Sequence, residues 1–214
     1  PLLTIQEMEN ELLLFLTDPA GVPPLEEYEE EDNINIITPD ELIGTPDEYD
    51  NLFRFEGFQI YQMVNDIASI SDIGDLDKAR LVAQTDVQNG VGKLVNYTYD
   101  EELDISIPAV MVEPAGEFEL DQGLRRSFRV TEDLFATGDR TLVNHKKYYY
   151  IAVSYAYNQY KEYDPNDPTL LDGQKRPYLR SRLSATGSGI ESVIGIPHDP
   201  SPEADGRVFT TSYG

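Results

Sequence analysis

The chain has 214 residues, 40 of them acidic and 16 basic, for a net charge of −24. Backbone binding to nucleic acid and docking to an anionic membrane both need clustered cations, so neither partner fits. The absence of Cys excludes disulfides, thiolate metal sites and cysteine nucleophiles.

Leu2 to Leu16 opens the domain. The run Leu12 to Leu16 is far too short to span a membrane, and Asp18-Pro19 and Gly21 end it. Two strands meeting near Glu9-Asn10 are expected here. Residues 17–50 carry twelve acids and no base. Five prolines break this segment, which reads as an acidic insertion. Within it, Asn33 to Ile37 is a candidate edge strand. Thr38-Pro39 and Thr45-Pro46 each look like the start of a capped turn.

Asn51 to Met63 alternates as a half-buried strand would, with Phe58 and Ile60 against Gln59 and Tyr61. A strand over Ala79 to Val87 closes at Gln88-Asn89-Gly90, and Val91 to Tyr99 is expected to pair with it. Shorter strands are expected at Pro108 to Val112 and Gly123 to Val130. Lys146 to Asn158 is the strongest strand: it is aromatic and β-branched, and it lacks Leu, Glu and Met. Tyr178 to Ala185 is the last strand expected. The composition then shifts to Gly, Ser and Pro. Residues 1–185 thus read as one antiparallel β-sandwich with enlarged loops, and 186–214 as a linker towards a next domain. Beginning at Pro1 without Met, the chain reads as an excised or processed fragment.

Several stretches carry a resemblance. Gly57-Phe58-Gln59-Ile60-Tyr61 is similar to the middle strand of fibronectin type III modules. Leu142, a tyrosine six residues later, and Ala156-Tyr157-Asn158 resemble that family's penultimate strand. More closely, Phe55 to Gln62, Asp77 to Gln84, Phe135 to Asp139, Val143 to Tyr149 and the tail Ile196 to Glu203 resemble a module of large secreted proteins from bacteria with type IX secretion. The resemblance implies a fibronectin type III/immunoglobulin-like fold and a secreted or cell-surface location. It implies a parent chain with further domains and protein partners, and no catalytic residues. It also implies a corner tyrosine whose hydroxyl ties strand to backbone. Spacing from Leu142 gives Tyr148 for this role; counting back from Asn158 gives Tyr150.

The candidate sites are few. With only His145 and His198 in the chain, no Ser-His-Asp arrangement can be assembled. Asp164, Asn166, Asp167 and Asp172 place oxygen ligands in one loop suited to calcium, or simply a solvated turn. Ser71, Asp72, Asp75 and Asp77 form a second such cluster. Tyr149, Tyr155, Tyr157, Tyr160 and Tyr163 are the rings of a carbohydrate-binding face if they line up towards solvent, and core if they do not. The expected role is a non-catalytic structural or interaction module of a surface protein. The alternatives are a glycan-binding or adhesion module and a fibre subunit that pairs through edge strands.

Overall fold

The computed structural model describes residues 1–21, 23–92, 95–110, 121–184 and 187–200. Its strands are β1 (Leu2–Met8), β2 (Glu11–Thr17), β3 (Glu29–Glu31), β4 (Leu52–Met63), β5 (Ala79–Asp86) and β6 (Val95–Asp100), then β7 (Ile105–Val110), β8 (Ser127–Val130), β9 (Tyr148–Tyr157), β10 (Tyr178–Arg180) and β11 (Val193–Gly195). Every pairing is antiparallel.

One sheet has the order β1-β2-β8. The other is built on the central pair β4–β9. β3 and then β5 pair in succession along one edge of β4. β10 and then β11 pair in succession along the outer edge of β9. The result is an all-β sandwich. β6 and β7 form a separate hairpin beside it.

Alternation explains the core. Leu12, Leu14 and Leu16 of β2 are fully buried, while Leu13 and Phe15 are half-buried on the opposite face. The three leucines pack in one cluster with Phe58 and Ile60 of β4, Tyr150 and Ala152 of β9, Phe128 and Val130 of β8, and Leu142. Burying each such side chain stabilises the fold by about 1.5–3 kcal/mol. The β1–β2 turn falls at Asn10, which takes a left-handed φ of 55° and donates its N–H to Asn144 Oδ1 at 2.7 Å.

Four local expectations are corrected. The edge strand in the acidic insertion is Glu29–Glu31, not Asn33 to Ile37. Asp32 Oδ1 accepts the N–H groups of Ile34 and Asn35, which turns the chain there. The Val91 to Tyr99 segment does not pair with β5; its strand, β6, pairs with β7. β4 is buried along both faces rather than one. Ile70, Ile73 and Ile190, from loops far apart in sequence, pack against Tyr61, Met63, Ile151 and Val153 on the second face. Lastly, Val193–Gly195 lies in the expected linker but is a strand of the sandwich. A Cβ on Gly195 would sit 2.8 Å from a Leu12 methyl, so the segment is packed tightly against the first hairpin.

The acidic insertion is fastened by two arginines. Arg54 pairs with Glu29 and Asp50, and Arg126 with Asp18 and Glu26. Ile36 is buried with Phe53 and Ala156, and the Tyr49 and Tyr160 rings stack beside them at 4.6 Å. Asn158 closes this end by donating to the carbonyls of Asp50 and Leu52.

Candidate functional site

Tyr148 and Tyr150 are both buried, and their hydroxyls differ. Tyr148 Oη accepts the Val143 N–H at 2.8 Å, five residues upstream, and so ties β9 to the preceding corner. Tyr150 Oη has no partner among the described residues, and burial pushes its pKa well up. His145 stands in the same corner with a φ of 66°, its N–H bonded to Pro197 O.

The oxygens proposed for calcium are engaged separately. Asp164 Oδ1 accepts the Asn166 N–H, and Asp167 Oδ1 accepts the N–H and hydroxyl of Thr169. Asp172 pairs with Lys161, which holds its carboxyl below the ordinary range. In the second cluster, Asp72 takes the Ser69 N–H and Lys78 Nζ, and Asp75 takes the Asp77 N–H. No group of three or more His, Cys, Asp or Glu side chains is gathered for a metal among the described residues.

The five named tyrosines do not form one solvent-facing row, because Tyr155 and Tyr163 are buried. A different aromatic groove lies where the β6–β7 hairpin meets the 161–178 loop. Asn96 clamps the hairpin in place: its side chain accepts the Tyr178 N–H and donates to the Tyr178 carbonyl. Tyr97 N–H donates to Lys175 O at 2.7 Å. The rings of Tyr97 and Tyr163 meet edge to face at 5.0 Å, and Tyr163 Oη bonds Ser106 Oγ.

This ring pair lines two hollows. One, of about 320 Å³, is also lined by Tyr157, Gln159, Glu162 and Gln174. The other, of about 610 Å³, is also lined by Tyr99, Asp104, Asn166 and Lys175. Gly173 permits this arrangement. A Cβ there would lie 1.9 Å from Glu162 O, so only glycine lets the loop pass close enough to present Gln174 and Lys175. Tyr97 and Tyr99 escape the sequence reading because the expected pairing of their strand with β5 hides that it forms a hairpin with β7. Period-two spacing within 95–100 was the signal available.

A second polar group is buried in the larger sheet. The registers align Asp86, Gly57, Tyr155 and Arg180 in one row across four strands. Gln84 and Gln59 stand in the next row on that face. Arg180 donates to Gln59 Oε1 at 3.3 Å and to Tyr61 Oη at 3.1 Å. Gln59 Nε2 in turn donates to Gln84 Oε1 at 2.8 Å, so the cation orients both amides.

At the other end of the row, the β4–β9 register shifts between Phe55 and Gly57. Glu56 is the extra residue of that bulge, and bulges redirect side chains. Its carboxylate takes the Asn89 amide at 2.8 Å on one oxygen, while Oε1 has no partner among the described residues. Asp86 takes the Asp121 N–H on Oδ1, and its Oδ2 has no partner among the described residues. Both acids are 1% exposed. Burial pushes Glu56 up to about 7, opposed by the Asn89 bond and helped by the charges of Asp86 and Asp121. Burial likewise pushes Asp86 up to about 6. These groups hold protons at mildly acidic pH, where ordinary carboxylates have lost them.

No protein-family model matches the chain, and no curated protein or solved structure matches it. No helix among the described residues is long and apolar enough to cross a membrane.

Proposed function

We propose that this chain is a non-catalytic structural module of a large secreted or cell-surface bacterial protein, one that spaces or joins parts of a surface assembly. The observation that carries the proposal is the placement of β1 relative to residues 195–198. β1 runs from Leu2 to Met8, and residues 195–198 run beside it in the same direction. Gly195 packs near Ile5, Ile196 N–H donates to Glu7 Oε1 at 2.7 Å, and His198 N–H donates to Met8 O at 3.0 Å. Leu2 and His198 therefore lie at opposite ends of the sandwich, about 20 Å apart along β1. A domain that holds residues 2 and 198 at opposite poles keeps apart whatever is attached there.

The strand order supports the fibronectin type III-like expectation: three strands face four strand positions, and the last position is shared by β10 and β11. The test is cross-linking of the native protein on intact cells, followed by mass spectrometry. Cross-links from Lys78, Lys146 and Lys161 to other domains of one long surface protein support the role. Recovery of the chain only from the cytoplasm, with no cross-linked neighbour, defeats it.

A further inference from the structure

The groove beside the β6–β7 hairpin plays no part in spacing. Its chemistry is that of a different task. The two hollows, about 610 Å³ and about 320 Å³, meet at the Tyr97–Tyr163 ring pair and fall within the usual size of small-ligand sites. Around the rings stand a carboxylate in each hollow (Asp104 and Glu162), the amides of Gln159, Asn166 and Gln174, and, among the described residues, the cation Lys175. Pyranose rings present the same two surfaces in complement. Their C–H faces stack on aromatic rings, and their equatorial hydroxyls bond carboxylates, amides and ammonium groups.

We propose that this groove binds a neutral oligosaccharide along the hairpin, with Tyr99 as the exposed stacking platform and Asp104, Asn166 and Lys175 as hydroxyl partners. Tyr99 is 53% exposed, so its ring face is open to a ligand. Its hydroxyl is held by Asp104, which fixes the ring orientation before anything binds. The walls are preformed too, through the Asn96 clamp, the Ser106–Tyr163 bond and the close pass at Gly173. Preorganisation lowers the cost of binding. Charge selects the class of sugar. With net −24 over the chain and an acid in each hollow, uronate or sulfated glycans are repelled, whereas uncharged ones are not.

The test is calorimetric titration of the whole chain with cellohexaose, mannohexaose, maltohexaose and chitohexaose, with hexagalacturonate as the anionic control. Binding of one or more neutral hexamers and no binding of the uronate is expected. Tyr99→Ala should weaken that binding by about tenfold, the effect of losing one stacking platform. Asp104 has a φ of 52°, which Asn also tolerates, so Asp104→Asn tests the polar contact without disturbing the turn. Both variants should melt as the parent does. The proposal is overturned if all four neutral hexamers fail to bind at millimolar concentration, if the uronate binds best, or if both well-folded variants bind as tightly as the parent.

Discussion

The buried acids at the bulge give the clearest pH signature. Glu56 ionises at about 7 in the fold, against an ordinary value of 4.5. Below pH 4.5 the folded and unfolded chains are both protonated there, and the group contributes no pH dependence. Between 4.5 and 7 the unfolded chain gives up its proton and the folded chain keeps it. Stability therefore falls as pH rises, at up to about 1.4 kcal/mol per pH unit for one proton. Above 7 the loss is complete. The full shift sets a ceiling of roughly 3 kcal/mol; solvent access and coupling to Asp86 reduce it to about 1–3 kcal/mol. Glu56→Gln removes the titration. Its amide oxygen still accepts from Asn89, and its NH2 group takes the place of Oε1, near Asp86 Oδ2; neither oxygen has a partner among the described residues. Urea unfolding at pH 5 and pH 8 and fixed ionic strength reads the difference. The variant should be more stable than the parent at pH 8 by about 1–3 kcal/mol, with the gap closing at pH 5. The comparison cancels the repulsion common to both proteins. If parent and variant lose equal stability between the two pH values, Glu56 is not a buried acid of raised pKa.

Other outcomes follow from packing and charge. Tyr148→Phe should cost about 0.5–1.5 kcal/mol in urea unfolding, because the Val143 N–H loses its acceptor. Tyr150→Phe should be neutral or slightly stabilising, since its hydroxyl is unpartnered; equal effects at both positions would contradict the corner geometry. Gly57→Ala places a Cβ 2.3 Å from Thr85 O and should destabilise by about 1–3 kcal/mol, and an unchanged midpoint would mean that β4 and β5 are not so close. Raising NaCl from low salt to about 0.1 M shortens the reach of repulsion to about 10 Å and should raise the melting temperature; a flat response would mean that the charges are already dispersed.

What was legible in the sequence was strand identity wherever one face is apolar. Leu12, Leu14 and Leu16 mark β2 and point to the core, and Asn10 marks the turn before it. The Tyr148–Tyr157 strand follows from its β-branched and aromatic run. Pairing was less legible, because it is decided by distant contacts. Nothing local tells β6 to pair with β7 rather than β5. β11 has only three residues, and what fixes it is the fit of Gly195 against Leu12. The buried polar residues Glu56, Gln59, Gln84 and Asp86 look exposed by composition. The surrounding sheet is covered by Val91 and Tyr178, which pack on Tyr155, and by Ile190, which packs beside Tyr61, and these contacts are long-range. Half of the groove was visible as Tyr157 and Tyr163, and the other half depended on the hairpin that was paired wrongly. The acid-rich loop suggests a cation site because the sequence shows acids in proximity. The side-chain bonds by which Asp164 and Asp167 each cap their own turn are the part that sequence spacing leaves open.

The spacer role is tested most directly by pulling the domain between Leu2 and His198 in a tandem array with an atomic force microscope. Residues 2–8 and 195–198 lie side by side and parallel, so force applied at opposite poles shears their contacts together. The expected trace is one cooperative high-force rupture per domain, lengthening by about 3.5 Å for each residue released. Peeling at low force in several small steps would contradict a module built to hold its neighbours apart.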